Sequence, residues 1–200
     1  MITIINYQAG NLFSVQNALK QVGTESMTTA DPYKIIKAKK IIFPGVGAAG
    51  SAMQNLKKFN LINPIKEYLK SDRPFLGICL GAQILLSASE ENNAKCLDII
   101  PGKNKLFRLK NLVVPHMGWN QVNIIRKNKL FDGIPNNSFF YFLHSYYLKP
   151  QEKAAIITET KYGINYASAV QMNNLYGVQF HPEKSANIGL KLLNNFCKIC

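Results

Sequence analysis

Acidic residues are scarce in this sequence: 11 Asp and Glu stand against 24 Lys and Arg, leaving a formal net charge of +13. Such a balance raises nucleic acid as a partner. The lysines are spread along the chain, however, the basic runs such as 126–129 are short, and no nucleic-acid-binding signature is present. The charge therefore reads as solvated faces, with an acidic protein partner or an anionic substrate as its functional counterpart, and no nucleic acid is expected. Cysteine is equally sparse. Cys79, Cys96, Cys197 and Cys200 are too few and too unevenly spaced for a disulfide framework. Cys197 and Cys200 form C-x-x-C without a second ligand pair for zinc or a preceding strand for redox chemistry, so the pair is read as incidental and no metal is expected. No apolar run reaches bilayer-spanning length, and MITIINY opens as a strand without a basic leader, so a cytoplasmic protein away from the membrane is expected. Repeats and low-complexity linkers are missing too. With 47% hydrophobic residues over 200 positions, one domain spanning 1–200 has ample core.

What the sequence does have centres on residues 73–90, RPFLGICLGAQILLSASE. A short apolar run follows Pro74, and apolar character resumes from Gln83 to Leu86 at helical spacing, which puts Cys79 on a strand-to-helix turn between Gly77 and Gly81. G-x-C-x-G is the thiol form of a nucleophile elbow, where small flanking residues allow a turn too sharp for a Cβ. A helix starting there would favour thiolate through its dipole. Taken alone, Cys79 reads more readily as a buried core cysteine, since free Cys is among the most buried residue types. A base changes that balance. In residues 175–185, LYGVQFHPEKS, alternating Tyr176, Val178 and Phe180 make a strand closed by His181, whose backbone Pro182 restricts. His181 can take the proton of Cys79 while Glu183 holds the other ring nitrogen.

The first half alternates apolar runs with helical patterns: a strand over 2–6, a helix after the N-cap Asn11, a helix from Asp31-Pro32, a strand over 40–43 and a helix from Asn63-Pro64. Shorter strand-like segments follow around 101–102, 113–122, 139–148, 154–160 and 167–179, then an amphipathic helix from Ser185. The predicted fold is α/β, with a mostly parallel central sheet, helices on both faces and antiparallel additions in the second half. Gly45, Gly47 and Gly50 satisfy G-x-G-x-x-G, but outside the first βαβ unit, and the acidic Glu67 beyond them lies in a helical pattern where it cannot meet a ribose. His116 and His144 have no catalytic spacing and read as structural; Trp119 and Tyr141 read as core aromatics.

The stretches GICLGAQ (77–83) and GVQFHPEKS (177–185) resemble the class I, or triad, glutamine amidotransferases. PHMGWN (115–120) and YFLHSYY (141–147) are similar to one branch of that family, the glutaminase subunits of imidazole glycerol phosphate synthase, and the likeness runs from the first strand to the last helix. The resemblance implies the class I amidotransferase fold, glutamine as substrate, no cofactor, and Cys79, His181 and Glu183 as the catalytic triad. It assigns Gly45, Val46 and Gly47 to an oxyanion loop whose N-H works with that of Leu80. Gln83 and Glu91 match glutamine-binding positions, Glu91 facing the α-ammonium. Asn11, Ser14, Trp119, Tyr141 and Lys184 match positions facing a cyclase (synthase) subunit, which would receive ammonia within a heterodimer. Departures at residues 6–11 (NYQAGN), Ala49 and Ala82 leave a paralogous role open, supplying ammonia for sugar amidination in surface polysaccharide synthesis. A cysteine peptidase of the same fold is a competitor of another class, but such relatives place His directly after the nucleophile, where Leu80 stands here. The intact Cys79, His181 and Glu183 argue against a non-catalytic binding module.

Overall fold

The computed structural model describes residues 1–199, so Cys200, half of the C-x-x-C pair, lies outside the described residues. The first part runs β1 (Ile2–Ile5), α1 (Leu12–Gln21), β2 (Ser26–Thr29), α2 (Pro32–Lys37), β3 (Ile41–Gly45), α3 (Ala49–Lys58), α4 (Ile62–Lys70) and β4 (Phe75–Cys79). Helix starts follow local chemistry. The Asn11 side chain accepts from Ser14 N at 3.2 Å, and Asp31 accepts from Tyr33 N at 2.9 Å with Pro32 at the first helical position. α4 begins slightly before the expected Asn63, at Ile62.

β1, β3 and β4 are buried along their whole length, as strands covered on both faces must be. Their side chains divide by parity: Ile4, Ile42, Leu76 and Ile78 enter a core with Val15, Leu192 and Phe196 of α1 and α6 (Ala186–Lys198), while Ile5, Phe43 and Phe75 enter another with Leu56 and Tyr68 of α3 and α4. Helices thus cover both faces of the sheet.

The remaining elements, in chain order, are α5 (Leu80–Gln83), β5 (Leu86–Ser89), β6 (Ile100–Leu106), β7 (His116–Ile124), β8 (Ser138–His144), β9 (Tyr146–Pro150), β10 (Ile156–Tyr162), β11 (Ile164–Met172) and β12 (Leu175–Val178). The sheet order is β2-β1-β3-β4-β12-β11-β10-β7-β8, with β5, β6 and β9 joining through β11. Pairing is parallel from β2 to β12 and antiparallel from β12 to β8, in agreement with the predicted fold class.

Three expected segments differ. The helix after Cys79 is a single turn, and its apolar continuation becomes β5, where Leu86 pairs with Ile100. A short buried apolar run has no intrinsic period to separate strand from helix, and pairing with β6 decides it. The segment 139–148 is two strands meeting at Ser145, and 167–179 is a hairpin turning at 173–174.

Candidate active site

β3, β4 and β12 lie side by side and parallel. Register pairs Gly45 with Cys79 and Ile78 with Val178, so the carboxyl ends of the three strands deliver the glycine loop, the thiol and the 179–183 segment to one edge. At that edge Cys79 has φ +54° and ψ −110°, a left-handed conformation for a non-glycine residue that costs about 1–3 kcal/mol. Its neighbours explain how the strain persists. A Cβ on Gly81 would overlap the carbonyl oxygen of Phe43 in β3, and one on Gly77 would stand 2.8 Å from Gly81 O. The elbow is wedged against β3. α5 is one turn long, however, so the expected dipole assistance to the thiolate is reduced to a few aligned peptides.

The structure brings His181 and Glu183 together with the thiol. His181 is buried, its Nδ1 stands 2.8 Å from Glu183 Oε1, and among the described residues its Nε2 is left without a hydrogen-bond partner in the geometry observed. A buried ring nitrogen without a partner costs free energy and marks a group left for chemistry. Burial opposes the imidazolium, but the adjoining Cys79 sulfur and the Glu183 carboxylate favour it more strongly and raise the His181 pKa to about 10. The backbone is fixed from β8: His181 N donates to Tyr141 O at 2.8 Å, while Ser185 Oγ donates to His181 O at 2.6 Å and accepts from Tyr141 N at 3.0 Å.

Beside the thiol is a cavity of about 270 Å³ lined by Val46, Gly47, Leu80, Gln83, Glu91 and the β8–β9 corner, an amino-acid-sized space. A larger cavity, about 820 Å³, lies between the 127–134 segment and α6, with no cysteine or histidine among its described lining residues. Gln83 donates both amide hydrogens, to Tyr146 O at 2.9 Å and Gln179 Oε1 at 3.2 Å. Glu91 reaches the cavity rim, but its Oε2 also accepts from Ala49 N at 2.6 Å, tying it to the start of α3 behind the glycine loop. Gly45 is sterically required: a Cβ there would collide with the Tyr7 hydroxyl. Gly50 has open space, its nearest neighbour being Ala94 Cβ at 3.9 Å, so it is not the tight helix–strand contact a dinucleotide fingerprint needs. Among the described residues no His, Cys, Asp and Glu cluster could hold a metal ion, and no helix is long and apolar enough to cross a membrane.

The expected partner-facing residues lie outside this cavity. Trp119 and Tyr141 pair across β7 and β8 with ring centroids 6.1 Å apart, and Trp119 is 52% exposed, which overturns the core reading for that residue. Tyr141 is half-buried, with Lys184 Nζ 5.8 Å from its ring centroid. Met117 and Leu143, the next outward pair, extend the apolar stripe. Asn11 is exposed and Ser14 half-buried at the start of α1, which packs beside the Pro182–Lys184 turn.

Sequence reasoning placed His116 and His144 as structural without seeing that they touch. Both are buried; His144 Nδ1 donates to Tyr146 O at 2.8 Å, which leaves its Nε2 to accept from His116 Nδ1 at 3.2 Å. Burial lowers their pKa values, His116 to about 4 and His144 to about 3. The fold therefore holds both neutral while the unfolded chain protonates them below about pH 6.5, so stability falls as pH drops from there toward 4. His144 alone should cost about 2 kcal/mol by pH 5. Urea midpoints at pH 7 and pH 5 should separate in the wild type and by only about half as much in His144→Gln, where His116 still has to be held neutral; equal separation in both proteins would mean that the His144 ring is not held neutral.

The wedged thiol elbow, the His-carboxylate pair and the glycine loop on one edge of a parallel sheet define a thiol-dependent acyl-transfer centre, and the chain belongs to the class-I glutamine amidotransferases. The family described as "Glutamine amidotransferase class-I" matches residues 3–200. The imidazole glycerol phosphate synthase subunit HisH of Moorella thermoacetica is 48% identical over 196 residues, covering 98% of this chain and 93% of the relative. Subunit HisH 2 of Methanococcus maripaludis is 46% identical over 200 residues, covering 99% of each. A solved glutamine amidotransferase shares the fold with a TM-score of 0.78 at 13% identity over 99% of this chain and 98% of the other, and PurLQS from Thermotoga maritima does so at 0.75 and 15% identity over 98% and 96%.

Proposed function

We propose that this chain is the glutaminase subunit of imidazole glycerol phosphate synthase, a single amidotransferase domain over 1–200. It hydrolyses glutamine to glutamate and ammonia and hands the ammonia to a cyclase subunit in a cytoplasmic heterodimer of histidine biosynthesis. The observation that carries the reading is the end-to-end likeness, at 46–48% identity, to chains bearing that name. In this reading the Cys79 sulfur attacks the side-chain carbonyl carbon of glutamine, and N-H groups of the Val46–Gly47 segment and Leu80 receive the oxyanion. His181 Nε2 gives its proton to the departing ammonia. Water, deprotonated by the same nitrogen, then attacks the γ-glutamyl thioester, releasing glutamate and restoring the thiolate. Glu183 holds Nδ1 throughout, at 2.8 Å. Gln83 and the Glu91 oxygen not engaged by Ala49 N bind the substrate's polar groups. No cofactor enters the reaction.

The cyclase subunit is assigned to the face carrying Trp119, Tyr141, Lys184, Asn11 and Ser14, because an exposed apolar stripe flanked by a lysine suits a partner that offers a carboxylate. The chain should restore growth without histidine to an auxotroph lacking this subunit; failure there would favour the sugar-amidination paralogue. With purified cyclase subunit and its nucleotide ligand, glutaminase should be strongly stimulated. Lys184→Ala should lose about tenfold of that stimulation at unchanged basal rate, and equal stimulation of both proteins would remove Lys184 from the interface.

A further inference from the structure

We propose that Gln179 is a further catalytic residue, whose side-chain amide donates a hydrogen bond to the Cys79 sulfur and stabilises its negative charge. The inference rests on the reading of Cys79 as nucleophile. Gln179 follows β12 by one residue, is fully buried, and lies two residues before His181. Its Nε2 is 3.8 Å from Cys79 Sγ. The amide end that faces the sulfur is fixed by the neighbours. Tyr146 O can only accept, so the group approaching it at 2.9 Å is the Gln83 NH₂; that same NH₂ then faces Gln179 at 3.2 Å, which must answer with its oxygen. The NH₂ of Gln179 is left pointing at the sulfur. Tyr146 O also accepts from His144 Nδ1 at 2.8 Å, so the orientation is anchored in the β8–β9 corner.

Two further contacts of the sulfur, besides His181, have opposite consequences. The thiol S-H donates to Leu143 O at 3.8 Å, a contact that exists only while the proton is present. Once the proton leaves, that carbonyl dipole offers the sulfur nothing, whereas the Gln179 N-H becomes a charge-assisted donor. Gln179 therefore favours the thiolate twice in the cycle, before attack and again when the thioester expels it. A buried amide would otherwise be a poor choice beside Val178 and Phe180, since burying one costs free energy unless it is hydrogen-bonded.

The test is the pH dependence of Cys79 alkylation by iodoacetamide, read by mass spectrometry on the Cys79 peptide so that the other cysteines do not contribute. The titratable groups around the sulfur are His181 with Glu183 behind it, Tyr7 under the elbow, and His144 and Glu91 across the cavity; all are retained in every protein compared. Gln179→Glu keeps an oxygen for Gln83 and replaces the donor by an acceptor. Its alkylation midpoint should move up by about one pH unit, which is about tenfold slower reaction at neutral pH. kcat should fall with it, with a smaller change in KM. Gln179→Met, similar in shape and lacking the donor, should shift in the same direction by less, and it carries the test if Gln179→Glu fails to fold. Profiles of folded variants that superimpose on wild type overturn the proposal. Cys79→Ala is assayed in parallel: if it still turns over glutamine, the nucleophile assignment fails, an outcome distinct from an unshifted Gln179 profile.

Discussion

Cys79→Ser should leave a folded protein whose glutaminase activity is at least about a thousandfold lower. The substitution is nearly isosteric, and serine inherits the same wedge between Gly77, Gly81 and β3, so the strained turn has no new reason to relax. What changes is the nucleophile. Charge on the sulfur is one of the influences that raise the pKa of His181, and a hydroxyl supplies no such charge near neutral pH. His181 should therefore titrate well below its wild-type value in the variant, a shift readable in its ring-proton NMR resonances. The serine hydroxyl is a far weaker nucleophile than the thiol without a base tuned to it. His181→Ala should be nearly as severe, and Glu183→Gln milder, because an orienting group contributes less than the group it orients. Turnover of Cys79→Ser within tenfold of wild type would sink the triad assignment.

The parts of this centre that were legible in the sequence are those held by near neighbours. His181 and Glu183 are two residues apart and bond to each other; Asn11 and Asp31 cap helices within three residues; Gly77 and Gly81 bracket the thiol. Gln179 was not legible, because its partners come from positions 79 and 83 and acquire meaning only when β12 is inserted beside β4. The outward aspect of Trp119 was missed for a related reason. Period-two alternation along β7 separates His116 from Met117 and Trp119, but nothing local says which set the core will cover. The overextended helix after Cys79 shows the converse error, an apolar run taken as helix continuation where pairing of Leu86 with Ile100 makes a strand.

Gly81→Ala should cost at least about 3 kcal/mol of stability and more than about a hundredfold in glutaminase activity, whereas Gly50→Ala should be neutral or stabilising by up to about 1 kcal/mol. Both glycines follow a strand of the same sheet and lie near the start of a helix. They differ in what a methyl group would meet. At Gly81 it would enter the backbone carbonyl of Phe43, which cannot swing aside as a side chain can, because β3 is held between β1 and β4. Either the elbow lifts away from β3 or β3 yields, and each response separates Cys79 from Gly45, the register partner that carries the Val46–Gly47 loop beside it. Stability and activity should therefore fall together. At Gly50 the nearest atom is 3.9 Å away, and alanine adds helix propensity within α3. Urea midpoints and glutaminase rates of the two variants provide the check. If Gly81→Ala matched Gly50→Ala in both, backbone contact with β3 could not be what holds the thiol in its strained turn, and the positioning of Cys79 would have to come from α5 and β12 instead.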